Sequence, residues 1–276
     1  MGSGGSQKIF TTVKSYSKRG QLLKRSDLQT LAESRDLDEL VTRIKNTKYL
    51  DAINSVAKPY TAEKLEIALR AKLADEQFKI AKSSGNSKIL DAFFQRFIIS
   101  NLKLILKGKI LGKSQEEISA FFNMHAEELA KQRDIVVKAL VAKDLEEAVS
   151  SLGSSPFSDE IQKAVELYNE TKNIQAFDVY FDKMLYQNIT RALRSENDQD
   201  ISHIYGMETD FYNVMSIVRG KFWGLDDERI EDLTVGASVN IPNQVMDRMM
   251  AAESVIDAID ELSTTRYKDL VPETED

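Results

Sequence analysis

Cysteine is absent from this 276-residue chain, which removes disulfide frameworks, thiolate metal sites and a cysteine nucleophile in one step. Proline is scarce at 4 residues and the 12 glycines are thinly spread, so little interrupts long regular elements. No apolar run is long enough to span a bilayer: the most apolar stretch, 89 to 111, is broken by Asp91, Gln95, Arg96, Lys103 and Lys107. Positive charge is also in deficit, 37 Lys and Arg against 44 Asp and Glu, giving a net charge of −7. That balance argues against broad electrostatic binding to nucleic acid, because such affinity rests on neutralising phosphates.

What is present points to helix. Leu, Ala, Glu and Lys are abundant, and an all-α fold is the expectation. The charge is uneven along the chain. Before Asp27 stand Lys8, Lys14, Lys18, Arg19, Lys24 and Arg25 with no acid, whereas the last residues from Asp269 carry only acids. These read as a solvated helix face and a frayed terminus.

Helix starts recur. Asp36 is followed three residues later by Glu39, and Leu37, Leu40, Val41 and Ile44 then form an apolar stripe. Thr61 opens another helix, 87 to 109 reads as one long central helix with Phe93, Phe94 and Phe97 in the core, and Ser114-Gln-Glu-Glu117 is a capping box. The segment Asp36-LDELVTRIKNTK-Tyr49 lies over Asp144-LEEAVSSLGSSP-Phe157 and over Ser254-VIDAIDELSTTR-Tyr267 without a gap. A second phrase repeats at an offset of 112: Asn101 to Ile118 over Asn213 to Ile230, sharing Asn101/Asn213, Ile105/Ile217, Lys107/Arg219, Gly108/Gly220, Lys109/Lys221, Gly112/Gly224, Glu116/Glu228 and Ile118/Ile230. Units of about 110 residues are therefore expected, a first over 1–133, a second over 134–245, and the start of a third over 246–276.

Within that phrase, LKGKILGKS resembles a phosphate-binding loop with one residue missing. Such a loop needs a preceding strand and four residues between its glycines, so that successive backbone N–H groups wrap the phosphates. Here three residues separate Gly108 from Gly112, and Lys113-Ser114 becomes Leu225-Asp226 in the second copy. A capped helix end is the expectation instead, with bases near the last turn and a left-handed glycine after it. His125 and His203 are the only histidines, and His125 with Glu128 lacks further ligands for a metal. No catalytic, cofactor-binding or metal-ligating residue is assigned.

The two Asn-led phrases, the opening segment Val13-KSYSKRGQL-Leu23 and the aromatic ends at Tyr49, Phe157 and Tyr267 together resemble the C subunit of the archaeal and bacterial A/V-type rotary ATPases, a relative of the d subunit of the eukaryotic V-ATPase. The resemblance covers nearly the whole chain. It implies a non-catalytic rotor part at the cytoplasmic face of the membrane, peripheral and without direct insertion. In the family, three helical units form a funnel that rests on the proteolipid c-ring and receives the foot of the central shaft, built by subunits of D and F type. No cofactor is implied. Only the start of a third unit is expected within 246–276, since its Asn-led helix would be due about 110 residues after Asn213. Lys107, Lys109, Arg219, Lys221 and Trp223 are the candidate interface residues, the bases serving either as contacts or as helix caps, and Trp223 either packing internally or facing a partner. The alternative is a helical-repeat scaffold of another complex.

Overall fold

The computed structural model of the chain describes residues 3–271 except 86, 197–198, 237 and 239, and describes no side chains for 3–5, 8, 196 and 199–205. Among the described residues every regular element is helical. The fold is all-α, as composition and patterning require.

Two compact units divide the chain, 1–148 and 149–276. The first holds α1 (Ser3–Arg19), α2 (Arg25–Ala32), α3 (Leu37–Lys45), α4 (Leu50–Asn54), α5 (Ala62–Ser83), α6 (Lys88–Ile110), α7 (Gln115–Ser119), α8 (His125–Ala130) and α9 (Arg133–Val141). Helix α10 (Leu145–Ser151) crosses the boundary. The second holds α11 (Ser158–Thr171), α12 (Ala176–Glu196), α13 (Gln199–Phe222), α14 (Asp227–Leu233), α15 (Asn243–Ala251) and α16 (Val255–Asp260), then two 3-10 turns, Glu261–Thr264 and Lys268–Leu270.

Local chemistry sets the boundaries. Thr61 Oγ1 accepts from Lys64 N at 3.3 Å to start α5, and Ser87 Oγ accepts from Leu90 N at 3.4 Å to start α6. The three segments aligned above make like bonds. Asp36, Asp144 and Ser254 accept from the amide three residues on, at 2.8, 2.9 and 3.1 Å. At the far end the amides of Tyr49, Phe157 and Tyr267 donate to the hydroxyls of Thr47, Ser155 and Thr265, at 3.1, 3.3 and 3.0 Å.

The core of the first unit follows α6, where Ile98, Ile99, Leu102, Ile105 and Leu106 are fully enclosed. At about 1.5–3 kcal/mol for each such side chain, the burial of this helix contributes substantially to that unit's stability. Of its three phenylalanines only Phe94 is buried; the Arg96 guanidinium lies over Phe93 at 3.8 Å and over Phe97 at 4.9 Å. In the second unit Ile217 of α13 joins Ile230, Ile241, Val245, Met249, Ala258 and Leu262 in one cluster. Phe177, Tyr180 and Phe181 of α12 are enclosed as well.

Candidate functional site

The residues that repeat between Asn101 and Ile118 converge on the carboxyl end of α6, and those between Asn213 and Ile230 on the end of α13. In the first unit Gly112 has φ of 65°, a left-handed conformation open to glycine at low cost. Its amide donates to Lys109 O at 3.1 Å and the Lys113 amide to Gly108 O at 2.9 Å, the paired bonds that close a helix on its own carbonyls. Gly224 repeats this at φ of 69°, with Gly224 N to Lys221 O at 3.0 Å and Leu225 N to Gly220 O at 3.0 Å.

Gly108 and Gly220 are glycines for another reason. A Cβ at Gly108 would stand 2.7 Å from Ile118 Cγ1, and one at Gly220 2.6 Å from Ile230 Cγ1. The next helix therefore folds back against bare backbone. Asn101 and Asn213 fix the chain beyond it. Asn101 Nδ2 donates to Asn123 O at 3.0 Å, and Asn213 Oδ1 accepts from Val235 N at 2.8 Å, so each asparagine reaches the backbone 22 residues on.

The lysine after each glycine works inside its unit. Lys109 is buried, and its ammonium donates to Leu140 O at 2.9 Å and also to Ala142 O, at the end of α9. Lys221 does the same at the end of α15, donating to Met250 O at 2.6 Å and to Ala252 O. A cation here answers carbonyls that a helix end leaves unsatisfied and complements its dipole. Lys107 and Arg219 sit half-buried on the last turns of α6 and α13, and Trp223 is half-buried one residue beyond α13. Next to Trp223, Phe222 is 81% exposed, while Leu111 in the first unit is 65% exposed.

No phosphate cradle forms at LKGKILGKS. Lys113 Nζ pairs with Glu117 at 2.9 Å, Ser114 Oγ accepts from Glu117 N at 3.1 Å, and Ser114 N donates back to that carboxylate at 2.8 Å. Both residues are occupied in starting the five-residue α7. His125 lines an open surface groove with Glu128 and lies 3.9 Å from Asp75; the side chain of His203 falls outside the described residues. Among the described residues no cluster of His, Asp and Glu could hold a metal ion.

Among the described residues, polar centres without a counterpart in the sequence patterns include the following two. In the first unit Glu127 is wholly enclosed, its Oε1 accepting from Asn101 Nδ2 at 2.7 Å while Oε2 has no partner, and burial raises its pKa. In the second, Asp232 accepts from Lys163 at 3.0 Å, Lys183 at 3.1 Å and Tyr180 Oη at 2.9 Å. Burial pushes the Asp232 carboxyl up, yet these donors outweigh it and hold the pKa at about 2. The sequence holds no signal that sets Glu127 apart from a solvated acid. Asp232 has none either, since its partners lie 49 to 69 residues away.

The profile of the ATP synthase (C/AC39) subunit family matches residues 11–276. The chain is similar to the C subunit of the A-type ATP synthase of Methanocaldococcus jannaschii, with 26% identity over 276 residues, covering 96% of this chain and 67% of that one. It is similar to the protein of the same name from Thermococcus kodakarensis at 25% identity over 259 residues, 91% of this chain and 66% of the other. With its namesake from Methanothermobacter thermautotrophicus it shares 25% over 260 residues, 92% of this chain and 65% of the other. The chain thus spans about two thirds of the length of these relatives.

Proposed function

We propose, since this chain belongs to the ATP synthase (C/AC39) subunit family, that it is a non-catalytic central-stalk subunit of an ion-translocating A/V-type ATPase or synthase. It couples the central shaft to the proteolipid ring of the membrane sector from the cytoplasmic side, as one part of a rotor. Its helical units, repeating every 110 residues or so, are the elements that carry the load.

The observation that supports this reading is the double closure at the ends of α6 and α13. The most strongly patterned residues of the sequence are spent on holding helices to one another: glycine caps, glycine–isoleucine contacts, asparagine tethers and the Lys109 and Lys221 ammoniums that tie helix ends. A coupling part has to resist shear, and packed helical repeats supply stiffness without chemistry. Lys107, Arg219, Phe222 and Trp223 at those ends are the side chains proposed to meet a partner, with Lys109 and Lys221 supporting them from beneath.

Membranes from cells lacking this chain test the coupling role. ATP-driven ion transport should fall to background while ATP hydrolysis by the released catalytic sector persists. Unchanged transport would contradict the role and favour a scaffold of another complex. Thermal shift with Mg-ATP separates the nucleotide reading, since a specific ligand must raise stability by mass action; no shift is expected.

A further inference from the structure

Helix α1 is amphipathic, but it is packed the wrong way round for a helix whose only role is to cover the unit beneath it. Its contacts with α5 come from a polar stripe. Gln7 Nε2 donates to Ser83 O at 3.2 Å, Thr11 Oγ1 donates to the same carbonyl, Lys14 Nζ donates to Lys79 O at 2.9 Å, and Lys18 pairs with Glu76 at 2.7 Å. Positions 7, 11, 14 and 18 follow the spacing that apolar residues take on an inward face. The apolar residues stand on the other side: Ile9, Val13 and Tyr16 lie roughly 200° round the helix from that stripe at 100° per residue. Ile9 is 67%, Phe10 60%, Val13 63% and Tyr16 66% exposed. Hydrogen bonds and an ion pair hold the helix in place while four large apolar side chains face outward.

Charge identifies what covers them. Across residues 1–26 the sequence has six cations and no acid, and Arg19, Lys24 and Arg25 are exposed just past the apolar face. An apolar band edged by bases matches the boundary of a bilayer carrying anionic headgroups: the band enters the acyl region and the long basic side chains reach the phosphates. Tyr16 and Phe10 are the side-chain types that settle at such a boundary. A second copy fits less well, since a two-fold contact through this face sets the same basic segment against itself.

We propose that α1 lies in the plane of an anionic lipid surface, Ile9, Phe10, Val13 and Tyr16 downward, and moors the first unit to the membrane. The helix lies on the bilayer without crossing it: among the described residues no helix is long and apolar enough to span one. The mooring amends the expectation that the chain is peripheral without direct insertion, and it does not depend on assembly with other subunits.

Co-sedimentation of the purified full chain with vesicles tests it, using phosphatidylcholine alone and phosphatidylcholine with about one phosphatidylglycerol in three lipids. Partition onto the anionic vesicles should exceed that onto neutral ones by about ten-fold, weaken with salt, and fall by a similar factor in the variant Ile9→Ser/Val13→Ser/Tyr16→Ser. These positions are exposed, so the variant should keep its helical circular dichroism. Hydrogen exchange in the unmodified chain gives a second readout, with amides of 9–16 slowed by anionic vesicles. Failure to bind anionic vesicles, equal binding to neutral ones, or undiminished binding of the triple variant would each overturn the proposal. So would a dimer in solution that the same three substitutions dissolve, which would give the face to a second copy.

Discussion

Gly108 and Gly112 are four residues apart and are glycines for opposite reasons. At Gly112 a Cβ meets nothing within 4 Å, and the cost of alanine there is the left-handed backbone, about 1–2 kcal/mol. At Gly108 the backbone is helical, so alanine gains up to about 1 kcal/mol of propensity but collides with Ile118, at about 1–3 kcal/mol. Urea unfolding should show Gly108→Ala destabilising in the natural background and neutral or stabilising beside Ile118→Ala, because the clash then has no partner. Equal cost in both backgrounds would refute the close-packing explanation. Lys109 and Lys113 are likewise near neighbours with different tasks. Lys109→Met leaves the carbonyls of Leu140 and Ala142 unanswered and should cost about 1–3 kcal/mol. The double change Lys113→Leu/Ser114→Asp keeps an acceptor at the cap, as Asp226 does in the second unit, and should shift stability by less than about 0.5 kcal/mol. That the glycine and lysine positions matter was legible from their recurrence at an offset of 112. What each one touches was not, since Leu140 and Ile118 are ordinary apolar residues until the chain is folded.

Helix starts and stops were the most readable elements, because capping is local: an acceptor and the amide three residues on suffice. Asp36→Ala and Asp144→Ala should each cost about 1 kcal/mol, measured as a fall in the urea midpoint. Polar centres built by residues distant in sequence sit at the other extreme of legibility, and two of them contribute to the pH dependence. Glu127 has a raised pKa through burial, so its contribution to stability is complete below the unfolded value of 4.5 and is lost as pH rises through the folded one. Asp232, held at about 2, has the opposite sign: its contribution is present above 3.8 and is lost as pH falls towards about 2. Glu127→Gln should flatten the alkaline side of a stability–pH curve and Asp232→Asn the acid side. An Asp232→Asn chain that loses stability in acid as steeply as the parent would contradict the assignment. Helix α1 illustrates a different limit. Its charge bias was plain in the sequence and read as a solvated face, whereas the structure puts much of its polar stripe inward, a choice made by carbonyls and Glu76 on α5 rather than by anything in α1 itself.

At the scale of the whole molecule, the chain is an all-helical member of the ATP synthase (C/AC39) subunit family with its patterned residues committed to internal closure. The rotor role proposed for it is a claim about company, and affinity capture through a tag on this chain, from detergent-solubilised membranes at natural abundance, tests it most directly. Proteolipid and central-shaft subunits should be recovered together with it in constant ratio. Recovery of the chain free of both, with the ATPase intact in the unbound fraction, would contradict that role.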